Sequence, residues 1–224
     1  QLKWNGKYHV AFGGIPEKFY VAYNITKFTA AGEPNPLELW KQGKWNWTQF
    51  VKTCKAMTDV NNNEYGFSGW NLNPGNSPYR MVLMNSENKL QLNIDDQKFM
   101  RWMTEVYNLY QKEKAARCDW DSANFLTTFP SGKDAMIICT PEEYIRVKQR
   151  VEVTGGDEFG IAPQPIFDPT GETERLVTAN VYGLSISSKA KNPEGAAAFI
   201  RLNYLMSKKI NEKVGEFGLL EKYI

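Results

Sequence analysis

Thirteen residues, Phe129-Pro-Ser-Gly-Lys-Asp-Ala-Met-Ile-Ile-Cys-Thr-Pro141, constrain this chain most, because they set a turn, a buried strand and a helix start in immediate succession. Pro130-Ser131-Gly132 is a turn signal, Ala135 to Cys139 is an apolar run of strand length, and Thr140-Pro141-Glu142-Glu143 opens a helix. A strand that feeds a helix in this way is the joint of α/β proteins, whose ligands collect beyond the carboxyl ends of strands. Thr140 to Tyr144 is therefore the first place to look for a site. Thr140 and Glu143 also fit the S/T-x-x-E capping box, with Pro141 at the favoured first helical position. That gives Glu143 a structural role and leaves Glu142 and Tyr144 as candidates for contact with a ligand.

Strand and helix signals alternate elsewhere too. Lys7 to Val10 and Phe19 to Tyr23 read as strands separated by Gly13-Gly14-Ile15-Pro16, and Ile25 to Ala31 reads as a short helix ended by Gly32. A proline-rich loop is expected next. Asn46 looks like an N-cap with Gln49 three residues on, and Trp47, Phe50, Val51, Cys54 and Met57 recur at helical spacing. Tyr65 to Ser68 reads as a short strand, followed by a long loop of the kind that carries function. Asp95 to Lys114 is the clearest helix, with Phe99, Met103, Val106 and Tyr110 as its core stripe, and a further helix is expected at about Ser122 to Phe129. Phe159 to Ala162 reads as a strand and Pro163 to Arg175 as a loop. Along Val177 to Ser187 the apolar alternation slips phase at Gly183, which implies a bulge, a passage between sheets, or two strands with a tight bend. Asn192-Pro193 starts a helix whose apolar face runs from Ala196 to Met206, and a last amphipathic helix reaches about Val214.

The chemistry available narrows the function. Lys and Arg number 27 against 25 Asp and Glu, mixed along the sequence, so the electrostatic footprint of a nucleic-acid binder is missing. Cys54, Cys118 and Cys139 form no C-x-x-C pair, and Cys54 and Cys139 sit on apolar stripes, which reads as buried thiols rather than a metal or redox site. His9 is the sole histidine and is assigned to structure. Glu142 and Glu143 are the one pair of acids in a promising place, but adjacent helical residues point about 100° apart and cannot face each other across a glycosidic bond. Asp119 and Asp121 lack the other ligands of a calcium loop, and neither a phosphate loop nor a nucleophile elbow is present. Neither a membrane-spanning run nor a signal-peptide pattern is visible, and the missing initiator Met suggests an excised segment. What remains is Trp70, Asn71, Asn73, Asn76 and Tyr79 in a long loop, with Thr140, Glu142 and Tyr144 at a helix start. Flat rings stack on the C–H faces of sugars, and planar amides take paired hydroxyl hydrogen bonds. This is binding chemistry, with neither cofactor nor metal expected.

Several segments, in order, resemble extracellular solute-binding proteins of family 1, the maltose-binding-protein-like carbohydrate receptors of ABC importers. They are Gly6-Lys7-Tyr8, Tyr20 to Phe28 with Ala31-Gly32, Trp45 to Phe50, Phe129 to Met136, Gly160 to Pro165 and Gly183 to Pro193. The resemblance implies an α/β fold of the periplasmic-binding-protein type II kind: two lobes joined by crossing strands, with the ligand between them and closure signalled to a membrane permease. It implies that the chain is a fragment, mainly a second lobe. Residues 1–18 would be a crossing segment from the first lobe, 19–176 the second lobe, and 177–224 a crossing strand and helices returning to the first. Phe12, Gly13 and Gly183 would lie at the hinge, and Tyr182 would join Trp70, Asn73, Tyr79, Glu142 and Tyr144 at the ligand. Pro78-Tyr79 matches the family's proline-aromatic pair near the cleft. Where the family has Gly-Pro-Trp this chain has Thr140-Pro141-Glu142, so a carboxylate replaces a stacking ring. The expectation is a monomeric, non-enzymatic receptor, periplasmic or lipid-anchored at the cell surface, for a carbohydrate. The alternatives are a receptor for a polyamine, peptide or opine, or a carbohydrate-active enzyme.

Overall fold

The computed structural model describes residues 3–4, 7–8, 11–12, 17–69, 72, 79, 81–87, 89–118, 127–154, 156–167, 179–180 and 183–213. The chain divides into two compact units, residues 1–17 with 179–224, and residues 18–178.

The first unit opens with β1 (Lys3–Trp4) and β2 (Lys7–Tyr8), an antiparallel pair, followed by β3 (Ala11–Phe12), and β4 (Glu17–Lys18) falls at the division between the units. The second unit holds β5 (Tyr20–Asn24), α1 (Ile25–Ala31), α2 (Pro36–Lys41), α3 (Trp47–Ala56), β6 (Phe67–Ser68), β7 (Val82–Met84), β8 (Leu90–Leu92), α4 (Gln97–Tyr107), β9 (Ala116–Arg117), β10 (Met136–Cys139), α5 (Pro141–Thr154) and β11 (Phe159–Ala162). The chain then returns to the first unit through β12 (Ala179–Asn180), β13 (Gly183–Leu184) and α6 (Pro193–Lys213).

Helix ends follow the side chains that cap them. Asn24 closes β5 and accepts from the Lys27 N–H at 2.8 Å, while Gly32, at φ 67°, ends α1 in the left-handed conformation that glycine adopts without strain. Asn46 accepts from the Gln49 N–H at 3.0 Å, and α3 buries Trp47, Phe50 and Cys54. The expected proline-rich loop after Gly32 is partly helix: Asn35 caps α2 through the Leu37 N–H at 2.9 Å, with Pro36 at its first position. Asp96 caps α4, and a π-helical turn over Asn108–Lys112 extends it. The stripe buried on this helix is Phe99, Trp102, Val106 and Leu109, with Met103 and Tyr110 flanking it. The strand expected from Tyr65 is shorter, since Tyr65 makes a single parallel bridge to Asp134 before β6. β7 and β8 form an exposed hairpin that the sequence reading did not anticipate. Residues 122–126 of the helix expected before Phe129 lie outside the described residues. The two helices expected after Asn192 are one, α6, capped where Asn192 accepts from the Gly195 N–H at 2.8 Å.

The core of the second unit is a five-stranded sheet in the order β11-β5-β10-β6-β9. β5 alone runs against its neighbours, pairing Tyr20 with Cys139 and Val21 with Ala162, whereas β10, β6 and β9 are parallel. Val21, Tyr23, Met136 and Ile138 turn to one face and pack with Trp45, Phe50 and Phe67. Ala22, Ile137 and Cys139 turn to the other and are also buried. Burial on both faces explains why β10 reads as an unbroken apolar run rather than an alternating one.

Around Gly183 the phase slip resolves into two short strands with different partners. β12 pairs with β4, and β13 pairs antiparallel with β3, setting Gly183 opposite Phe12.

Candidate functional site

The sheet's register decides where a site can form. Because β5 is reversed, its amino end lies beside the carboxyl ends of β10, β11, β6 and β9. One end of the sheet therefore gathers Phe19, Thr140, Pro163, Gly69 and Cys118, each the residue at which a strand meets a loop or helix. This is the position at which open α/β sheets bind ligands.

At the end of β10 the expected capping box is present in both directions. The Thr140 N–H donates to Glu143 Oε2 at 2.8 Å, and the Glu143 N–H donates to Thr140 Oγ1 at 3.3 Å. Glu142 stands outside this box, its side chain 69% exposed and paired with Arg146 one turn on at 2.6 Å. Tyr144 differs from the expectation of a ligand contact: its residue is 8% exposed and its hydroxyl donates to the Phe159 carbonyl at 3.0 Å. Desolvation, with Cys139 and Tyr23 nearby, pushes its pKa up to about 12. Helical spacing brings residues 140, 143, 144 and 147 to one side, and that side is the one packed on the sheet. Tyr144 is thus a packing residue beneath the helix start.

Tyr79 is half-buried and meets Phe167 edge-on, with ring centroids 5.9 Å apart. Phe167 also packs on Trp47 at 5.5 Å, and the Arg101 guanidinium lies 5.8 Å from its ring. Nothing in the sequence marks this aromatic group, because Phe167 lies within the proline-rich loop from Pro163, where no periodicity identifies its partner. Tyr110, expected on the core stripe, is only partly buried there. The Tyr110 hydroxyl in fact donates to the Gly69 carbonyl at 2.6 Å, at the end of β6. Trp70, Asn73 and Tyr182, with Asn71, Asn76, His9, Asp119 and Asp121, lie outside the described residues, as does Gly13. Among the described residues no three His, Cys, Asp or Glu side chains group as metal ligands. Cys54 and Cys139 are buried, whereas Cys118 is exposed.

Solved structures share this fold. A maltose/maltodextrin-binding domain, MalE, from Bdellovibrio bacteriovorus bound to maltotriose is similar at 18% identity and TM-score 0.65, over 92% of this chain and 51% of that one. The substrate-binding protein Lmo0181 from Listeria monocytogenes in complex with cycloalternan is 17% identical with TM-score 0.63, over 90% and 49%. UgpB from Mycobacterium tuberculosis in complex with glycerophosphocholine is 16% identical with TM-score 0.62, over 88% and 49%. The chain thus spans about half the length of these proteins. No curated protein sequence matches it. The bacterial extracellular solute-binding protein model matches residues 4–212, nearly the whole chain, and the protein belongs to that family.

Proposed function

We propose that this chain is part of a non-enzymatic receptor that binds a carbohydrate between two lobes and hands it to an ABC importer at the outer face of a cell membrane. The observation that carries this reading is the gathering of four strand ends and a capped helix start at one end of the sheet. Residues 19–176 would be the second lobe. Trp70, Asn73, Tyr79, Glu142 and Tyr182 would contact the ligand, with Tyr144 supporting the helix start from below. Phe12, Gly13 and Gly183 would form the hinge, a role supported by the register of Gly183 on Phe12. The neighbours bound to maltotriose and cycloalternan favour a sugar.

Isothermal titration of the 224-residue chain with maltotriose, cycloalternan and glycerophosphocholine tests this. Saturable heat with either sugar supports the reading, and silence toward both refutes it. A second reading, a receptor for a solute with a cationic group, is favoured by the exposed Glu142 carboxylate at the helix start. Under it, glycerophosphocholine binds, and Glu142→Gln abolishes that binding. A sugar site would lose only part of its affinity, since the amide keeps one acceptor.

A further inference from the structure

We infer that Tyr110 is a positioning residue for the proposed ligand site, holding the exit of β6 at the point where the chain continues into 70–80. The inference rests on the receptor reading for its link to ligand.

Both backbone polar groups of Gly69 are committed. Its N–H donates to the Arg117 carbonyl at 3.2 Å, and its carbonyl accepts the Tyr110 hydroxyl at 2.6 Å. Gly69 lies at φ 149°, in the region that other residues rarely adopt, so the chain turns there in a way only glycine permits without strain. A turn with its amide and carbonyl both tied leaves β6 in one direction. The residue that follows is Trp70, one of the proposed contacts.

The π-helical turn delivers the phenol. Neighbouring residues on an α-helix point about 100° apart, and a wider turn alters which of them meet the core. Here the Glu113 N–H bonds five residues back to the Asn108 carbonyl at 2.8 Å, and Leu109 and Tyr110 both pack inward. Leu109 fills the core, and Tyr110 carries its hydroxyl to the strand end. Burial pushes the phenol pKa well above its ordinary value, so the hydroxyl is a donor at any physiological pH. π-turns recur at functional sites, and this one has a stated task.

The test compares Tyr110→Phe with Tyr23→Phe. Tyr23 donates to Asn35 Oδ1 at 2.8 Å from the opposite end of β5, so both variants lose one hydroxyl hydrogen bond and keep the ring. Two readouts are taken: hydrogen exchange of peptides covering 69–80, and titration with maltotriose and cycloalternan. Tyr110→Phe is expected to speed exchange in that segment about tenfold and raise the Kd of the bound sugar by about tenfold, while Tyr23→Phe does neither. Unchanged exchange in Tyr110→Phe overturns the positioning role. Faster exchange with an unchanged Kd overturns its link to the ligand. Absence of sugar binding by the unsubstituted chain sinks the receptor reading instead, and exchange still decides whether Tyr110 positions the strand end.

Discussion

Gly66 should be the most intolerant glycine among those whose surroundings are described. A methyl group placed on it would lie 2.0 Å from the Cys54 carbonyl oxygen and 2.4 Å from the Cys54 Cα. Both are backbone atoms in the last turn of α3, held by a Thr58 hydroxyl that donates to the Cys54 carbonyl at 2.7 Å and accepts from the Gly66 N–H at 2.8 Å. Gly66→Ala must therefore push β6 away from α3 and break that hydrogen-bonded junction. Overpacking costs about 1–3 kcal/mol and each lost buried hydrogen bond about 1 kcal/mol, so the expected loss is about 3–5 kcal/mol. Gly160→Ala also clashes, at 2.4 Å from the Tyr23 ring, but against the end of a side chain rather than backbone, and about 2–3 kcal/mol is expected. Gly32→Ala meets nothing within 4 Å and is penalised only by its left-handed φ of 67°, which puts it near 1 kcal/mol. Urea unfolding followed by tryptophan fluorescence measures all three, because six of the seven tryptophans lie in residues 18–178. The midpoints should fall in the order Gly32→Ala, Gly160→Ala, Gly66→Ala, with similar slopes. A Gly66→Ala midpoint at or above that of Gly32→Ala would falsify the claim that β6 rests on the α3 backbone.

Asp134, 0% exposed and 2.8 Å from Arg117 Nη2, should cost about 2–4 kcal/mol when changed to Asn in the same unfolding assay, since this leaves a partly buried guanidinium without its counter-charge. Breaking the exposed Glu142–Arg146 pair by Glu142→Gln should cost less than about 0.5 kcal/mol, and equal losses would refute the burial argument. Burial holds the Tyr144 phenol protonated up to about pH 12, whereas an unfolded chain loses that proton near pH 10. Its contribution is complete below pH 10 and lost as pH rises through 12, with a slope of at most about 1.4 kcal/mol per pH unit. Tyr144→Phe should flatten the fall of the urea midpoint between pH 10 and 11. Ellman's reagent should modify the exposed Cys118 rapidly in the native protein and the buried Cys54 and Cys139 only after denaturation. Fast reaction of all three thiols would contradict the packing of α3 and β10.

What could be read from the sequence was what local chemistry decides. The caps at Asn46, Thr140 and Asn192 each depend on a side chain and an N–H three residues on, so the residues that make the bond lie together in sequence. α2 carried the same Asn-Pro signal as α6, but its six residues are too few to show a periodicity beside Pro34 and Pro36. The β7–β8 hairpin escaped because its turn is set by Asn85 Oδ1 accepting from the Glu87 and Lys89 N–H groups, not by an Asn-Gly pair. The burial of Tyr144 and the reach of Tyr110 were not legible, because each depends on a partner from another element, Phe159 and Gly69. Helical spacing gives the side of a helix on which a residue lies, but not whether that side meets the sheet or the ligand.

The two ends of the five-stranded sheet use polar groups differently, and this makes stability and binding separable. At the amino end of β10, charged and amide side chains pair with one another: Asn24 donates to Asp157 Oδ2 at 2.7 Å, Lys27 to Glu64 Oε2 at 2.6 Å as well as to the Gly132 carbonyl, and Arg117 to Asp134. At the carboxyl end, side chains donate to backbone: Trp45 Nε1 to the Pro163 carbonyl at 2.9 Å, Gln164 Nε2 to the Phe19 carbonyl at 3.2 Å, and Tyr110 to Gly69. A donor on a loop carbonyl fixes the loop and leaves the loop's own side chains available, which is what a rigid binding rim requires. Gln164→Leu keeps the bulk of the side chain and removes one such tie. It should lower stability by no more than about 1 kcal/mol and raise the Kd for the bound sugar by about three- to tenfold. Asp134→Asn should do the reverse, lowering the urea midpoint strongly while leaving the Kd of the still-folded protein at 20 °C within about twofold. Parallel movement of midpoint and affinity in both variants would show that the two ends are not distinct in function, and the proposed site would then have to be sought elsewhere on the chain.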